Sequence, residues 1–253
     1  MDEMRTPRET ELNAALTGLR ERLRAAADAA GRDVNDIELL PVTKFFPASD
    51  VISLRRLGCV AFGESREQEA SNKAVEVAAE LTGELAEPPI RWHMVGRIQR
   101  NKAKAVAGWA HAAHSVDGVP LIRALGRASV EAMADGRRHD PLRVYIQLSL
   151  DADPQRGGVD ASRADVVDEV CAAADSTDGL KFVGLMAIPP LGCDVDEAFA
   201  RLATERARVQ TSYQQRLGLS AGMSGDLETA VKHGSTCVRV GTSLMGQRPL
   251  TSP

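Results

Sequence analysis

The sequence predicts an α/β fold, a closed (β/α)8 TIM barrel with an additional N-terminal helix. Two observations predict it. Eight short apolar runs alternate with helical stretches along the chain, so that each run is followed or preceded by a helix. No composition break divides the 253 residues, a length that one α/β barrel fills. The whole of 1–253 therefore reads as one domain, with a flexible lead-in at 1–6, a leading helix over 7–30 and a tail at 250–253. An open doubly wound sheet is the competing architecture.

The elements follow in order. Thr6 is the N-cap of the leading helix, Pro7 occupies its first position, Glu9 completes a capping box and Gly31 supplies the stop. The strand candidates are Ile37 to Val42, Cys59 to Phe62, Ile90 to Val95, His111 to Val116, Leu142 to Leu148, Leu180 to Ile188, Leu219 to Gly222 and Thr236 to Val240. Helical stretches run over Ser49 to Leu57, Glu64 to Leu81, Asn101 to Ala107, Pro120 to Ala134, Ser162 to Ala174, Asp194 to Leu217 and Asp226 to His233. Pro41 removes a ladder hydrogen bond, so the first strand should be short, bulged or unpaired there. Gln155 to Val159 reads as a turn, too rich in glycine for a strand.

Composition narrows the function. A net charge of -4 leaves no basic field to attract nucleic acid or an anionic membrane. Only 4% of the residues are aromatic, which argues against base-stacking platforms. Cys59, Cys171, Cys193 and Cys237 form no CxxC pair and read as reduced thiols. The charged amino terminus is no secretory signal and no run approaches a membrane span, so a cytoplasmic protein is expected. No P-loop, G-x-G-x-x-G turn or G-x-S-x-G elbow is present. His93, His111 and His114 fit no common zinc spacing, and no metal is expected.

Barrel active sites gather at the carboxyl ends of the strands, with phosphate often held after the last two. Lys44 follows the first strand and is expected to point towards the axis, where a partly desolvated amine is a nucleophile towards a carbonyl. A lysine that snorkels to the rim is the plainer reading. Gly222 to Asp226 places small residues and the Ser224 hydroxyl at a strand-to-helix turn, and Gly241 and Thr242 offer the same chemistry beside it. Two such turns together make an anion cup. As a plain N-cap, Ser224 would need no ligand. Arg239 faces the same side as Gly241, towards a ligand or, alternatively, an interior acid such as Glu64. The basic run from Arg97 to Lys104 reads as a solvated helix start, with a contribution to an anion site or a partner surface as the alternatives.

Together these residues resemble the pyridoxal 5′-phosphate homeostasis protein family, single-domain relatives of the alanine racemase barrel. The resemblance spans nearly the whole chain. Leu39 to Lys44, Phe62 to Glu69, Trp92 to Lys102, His114 to Asp117, Gly184 to Pro189, Gly222 to Glu228 and Val238 to Thr242 carry it. It implies one pyridoxal-phosphate-binding domain in which Lys44 forms the Schiff base. It also implies that Ser224, Gly241 and Thr242 hold the phosphate, that Arg239 faces the pyridine nitrogen, and that Met223 and Ser65 complete the cofactor site. An arginine cannot accept the proton that would make the ring a strong electron sink. The sequence departs from the family pattern at Ser65, where Asn is common, at Pro41 and at Arg156, where Lys is usual.

The resemblance favours a carrier of pyridoxal phosphate over an enzyme, and no catalytic residue is assigned. Racemase relatives use a second β-domain and a tyrosine opposite the lysine. This chain is expected to lack that domain, and Tyr145, in a strand, and Tyr213, in the helix before the seventh strand, lie at no strand mouth. The runner-up is a weak amino-acid racemase or lyase. A third possibility is a partner-binding barrel with an empty mouth. The expected partners are the cofactor and pyridoxal-phosphate-dependent apoenzymes, and a monomer is expected.

Overall fold

A computed structural model of the chain describes residues 6–151 and 157–247. Residues 1–5 of the expected lead-in, the family departure at Arg156 and the tail at 250–253 lie outside the described residues.

The strands are β1 (Glu38–Pro41), β2 (Ala61–Glu64), β3 (Arg91–Met94), β4 (Ala112–Val116), β5 (Leu142–Ser149), β6 (Val159–Asp160), β7 (Leu180–Ala187), β8 (Gly218–Ser220) and β9 (Cys237–Val240). All pair in parallel in the order β1-β9-β8-β7-β5-β4-β3-β2, with β6 attached to β5 outside that path. A bridge between Val42 and Gly63, with the Thr43 N–H donating to the Gly63 carbonyl at 3.0 Å, joins the two ends of the path. The result is the predicted barrel of eight parallel strands, nearly closed.

The helices are α1 (Pro7–Ala29), α2 (Ala48–Arg56), α3 (Glu67–Glu80), α4 (Ala103–Trp109), α5 (Val119–Ala134), α6 (Ala164–Ser176), α7 (Val195–Gln210), α8 (Leu227–Lys232) and α9 (Thr242–Met245). α1 begins as predicted, with the Thr6–Glu9 capping box formed and Pro7 in its first turn. It buries Leu12, Leu16, Leu19, Leu23 and Ala27, one stripe at helical spacing, against α2, α8 and α9. Gly31, at φ 62°, ends it.

Pro41 is the last residue of β1. The backbone N–H groups of Glu38 and Val42 donate to β9 carbonyls or to the residue before β9, and that of Thr43 donates to β2. Alternation turns the Pro41 nitrogen towards β2, where only the Val42–Gly63 bridge exists, so its missing N–H leaves no partner wanting.

Three expectations need correction. Val159 belongs to β6, because Gly157 and Gly158 take φ of 69° and 99° and let the chain turn onto β5 just before it. Glu64 lies in β2 rather than opening α3, since its carboxylate is held under the strand ends. α7 ends at Gln210, so Tyr213 is not helical. The Gln210 side chain donates to the carbonyls of Tyr213 and Gln215 and accepts from the Leu217 N–H, replacing a further turn of helix.

The apolar core lies between strands and helices. On β5, Leu142, Val144, Ile146 and Leu148 are buried in one cluster with Phe199 and Leu202 of α7 and Val167 of α6. The alternate residue Tyr145 faces inward and stacks on His114 of β4 at 4.5 Å. Among the described residues, no helix is long and apolar enough to cross a membrane.

Candidate cofactor site at the strand mouths

β1, β8 and β9 are neighbours, so the loops that follow them share one rim. Leu40 is in register with Arg239 and Pro41 with Val240, and a Cβ on Gly241 would lie 3.8 Å from Val42. Lys44, Gly241 and Thr242 therefore stand just beyond adjoining strand ends. The β8 loop joins them, since the Ser243 backbone N–H and hydroxyl donate to Ser224 Oγ at 3.2 and 2.9 Å. Gly222 makes that turn possible: at φ 91° its absent Cβ would come within 2.5 Å of Ala230.

Each nominated residue has a definite setting. Thr242 is exposed at the start of α9, and Ser224 is half-buried. The Met223 side chain is exposed, while its backbone N–H already donates to Asp226 Oδ1 at 2.5 Å. Ser65 follows β2, and the β3 loop closes so tightly upon it that a Cβ on Gly96 would stand 2.0 Å from the Ser65 carbonyl oxygen. Ser243 was not nominated from the sequence. The run Gly-Thr-Ser at 241–243 was its signal, hidden because a serine one residue into a helix is usually a simple cap.

The expected burial of Lys44 is corrected: the side chain is exposed. The strand has ended by then, and Thr43 takes the buried position while Lys44 lies in the following turn. That turn is unusual. Phe45 has φ 70°, a left-handed conformation costly for a residue with a Cβ. It is held there by Glu69, whose Oε1 accepts from the Phe45 N–H at 2.7 Å, and by the Arg66 guanidinium 4.9 Å from the ring centre. Lys44 Nζ lies 5.7 Å from the centre of the same ring.

Beneath the turn, Lys73 Nζ donates to Glu64 Oε1 at 2.7 Å, to the Thr43 carbonyl at 2.9 Å and to Glu69 at 3.3 Å. The Thr43 hydroxyl donates to the same Glu64 oxygen at 2.7 Å. Burial pushes the Glu64 carboxyl above its ordinary pKa, against the lowering effect of the Lys73 ammonium and the Thr43 hydroxyl. The Glu69–Lys73 spacing of four residues was legible on a helix, but its meeting with Glu64 and Thr43 was not.

Arg239 has no ion pair with Glu64, which the Lys73 ammonium already occupies. The residue is 6% exposed, and its guanidinium donates from Nη1 to Ser220 Oγ at 2.6 Å and from Nη2 to the Ala187 carbonyl at 3.1 Å. Burial lowers its pKa from the usual arginine value, opposed by Cys237, Asp226 and Tyr145. Among the described residues no carboxylate forms a salt bridge with it, an arrangement that suits an anionic or electron-rich ligand at the carboxyl end of β9.

Among the described residues no group of three or more His, Cys, Asp and Glu side chains is placed to hold a metal ion. His93 and His114 bond to each other. The Cys59, Cys171 and Cys237 thiols are buried and free, and burial raises their pKa values to about 11, 12 and 12. In the basic run, Lys102 pairs with Glu67 at 3.2 Å and Lys104 with Glu131 at 3.0 Å. Arg97 and Arg100 rim a cleft of about 1060 Å³ floored by Met94, Ile98 and Leu121.

The barrel and its rim define a class. The family model described as alanine racemase, N-terminal domain, matches residues 15–249. The pyridoxal phosphate homeostasis protein of Mycobacterium bovis is 59% identical over 251 residues, covering 97% of this chain and 96% of that one. The chain belongs to the pyridoxal phosphate homeostasis protein family. A solved structure of PipY from Synechococcus elongatus, with PLP bound, matches with a TM-score of 0.76 at 29% identity, covering 93% of this chain and all (100%) of that one. Alanine racemase from Corynebacterium glutamicum, at 14% identity and a TM-score of 0.59, shares the fold; the match covers 90% of this chain and 60% of the racemase.

Proposed function

We propose that this barrel, acting as one monomeric unit in the cytoplasm, binds pyridoxal 5′-phosphate reversibly, with Lys44 as its covalent anchor, and passes it to apoenzymes that depend on it. The cofactor brings an aldehyde that condenses with amines and a ring that can delocalise charge. The residues present fit it. The buried Arg239, without a carboxylate partner among the described residues, is the observation that carries the reading.

In this reading Lys44 Nζ supplies the amine, and the clamped Phe45 turn restricts where that amine can go. Ser224, Gly241 and Thr242, with the Ser243 hydroxyl, would hold the phosphate, with Met223 and Ser65 completing the site. Arg239 would offer N–H donors to the ring nitrogen. Because a guanidinium keeps its own protons, it would leave that nitrogen unprotonated and the ring a weak stabiliser of carbanions.

The placement of the two tyrosines supports a carrier. Tyr145 is turned into the barrel against His114, and Tyr213 packs on Phe182 at 5.1 Å. Neither reaches the rim as a second acid or base for racemisation.

Borohydride reduction in the presence of pyridoxal phosphate, followed by peptide mapping, tests the anchor. The expected result is one adduct on Lys44, lost in Lys44→Ala; an adduct elsewhere overturns the assignment. Lys44 is exposed, so this substitution should leave stability within about 0.5 kcal/mol of the parent. Proton exchange at the α-carbon of amino acids tests the carrier reading. Rates well above those of free cofactor would make the protein an enzyme.

A further inference from the structure

His114 on β4 reaches Ser220 on β8, two strands separated in the sheet by β5 and β7, so the contact crosses the barrel interior. It is one link in a chain. Arg239 Nη1 meets Ser220 Oγ at 2.6 Å, Ser220 Oγ meets His114 Nδ1 at 2.8 Å, and His114 Nε2 meets His93 Nδ1 at 2.9 Å. His93 Nε2 is buried with no hydrogen-bond partner, and the nearest carboxylate oxygen, Glu38 Oε2, is 3.9 Å away. Glu38 is itself held by Arg91 at 2.6 Å. The chain thus spans the lumen from a buried cation to a carboxylate at the opening residue of β1.

Two hydrogen-bonding senses satisfy the inner links, and the ends choose between them. Arg239 can only donate, so Ser220 meets it with a lone pair. The field of the guanidinium then favours a lone pair, not an N–H, on the His114 nitrogen that faces it. At the other end, Glu38 Oε2 at 3.9 Å favours an N–H on His93 Nε2, while the Arg91 and Arg143 guanidinium groups act against a proton there. The Arg239 end, in direct hydrogen-bond contact, therefore sets the sense.

We infer that Ser220, His114 and His93 form a one-way donor chain that positions Arg239, with both imidazoles held as Nε2–H tautomers. Ser220 donates to His114 Nδ1, and His114 Nε2–H donates to His93 Nδ1. His93 Nε2–H faces Glu38. The aligned dipoles present their negative ends to Arg239 and so stabilise a guanidinium that forms no salt bridge among the described residues, the Asp226 carboxylate acting on it only from beyond salt-bridge distance. Both rings remain neutral, as the chain requires: burial lowers the His93 pKa to about 3 and carries that of His114 well below its ordinary value. Arg91, Arg143, His111, Cys237 and Tyr145 also face this lumen.

The role assigned to Arg239 at the cofactor ring rests on the proposed function; the tautomers do not. Long-range proton–nitrogen NMR on the ¹⁵N-histidine-labelled protein at pH 7, without cofactor, reads them directly. Nε2–H patterns for both residues are expected, and an Nδ1–H pattern for either overturns the chain. In Ser220→Ala, His114 should lose its fixed tautomer. If pyridoxal phosphate binds the parent, its affinity for the variant should fall about ten-fold and its absorption maximum should move, as expected when a charge-assisted hydrogen bond to the positioning arginine is lost. Ser220→Thr keeps the hydroxyl and should restore both signatures. An unchanged His114 tautomer in Ser220→Ala also overturns the proposal. Should no cofactor bind the parent, the functional reading fails while the tautomer result stands by itself.

Discussion

The barrel has two interiors that differ in chemistry. The sleeve between strands and helices is apolar, with Val144, Ile146, Phe199 and Leu202 closely buried. The lumen inside the strands holds His93, His114, Tyr145, Ser220 and Arg239, relieved by a small apolar patch of Leu40, Ala61 and Cys237. Bulky branched side chains commonly fill such lumens. Here the sleeve holds the fold, and the lumen is left free to carry oriented polar groups up to the rim.

Cutting into the sleeve should cost most. Ile146→Ala removes a fully buried side chain from β5 and should lower unfolding free energy by about 2–5 kcal/mol in urea titrations. The folded fraction should still form the Lys44 adduct. A cost below about 1 kcal/mol would mean that the sleeve does not carry the stability.

The lumen should announce itself through pH. His93 is neutral when folded, with a pKa of about 3, and takes up a proton on unfolding near its ordinary 6.5. The folded pKa is the depressed one, so the stability is present above about pH 6.5 and is lost as pH falls towards 3. The contribution is about 1.4 kcal/mol per pH unit. Unfolding free energies from urea titrations of the parent and His93→Gln between pH 6 and pH 4.5 should diverge by about that slope, the parent falling faster. Parallel lines would mean that His93 is not held neutral.

Outside both interiors the effect should be smallest. Thr6→Ala removes the cap of α1 and should cost about 1 kcal/mol, with the histidine tautomers unchanged. A tautomer change would couple the leading helix to the lumen, contrary to the contrast drawn between the two interiors.

Much of this was legible in the sequence, because it depends on neighbours along the chain. The Thr6-Pro7-Glu9 start, the alternation of β5 and the glycine at 222 each record a local backbone demand. The Glu64–Lys73–Glu69 support beneath Lys44 was not legible, since its members become partners only when β1, β2 and α3 meet. Nor was the burial of Lys44 rightly placed, because one residue of difference in where β1 ends exchanges Thr43 for Lys44 in the buried position.

By itself, the sequence determined the barrel, its leading helix, the family resemblance and the residues gathered at the strand mouths. Periodicity, caps and motif strings are properties of short windows. Tertiary structure alone decided the left-handed turn at Phe45, the partners of Arg239 and the chain through Ser220, His114 and His93. Residues 93, 114, 220 and 239 sit on four strands, and only closing the sheet brings their polar atoms within 3 Å of one another across a shared interior.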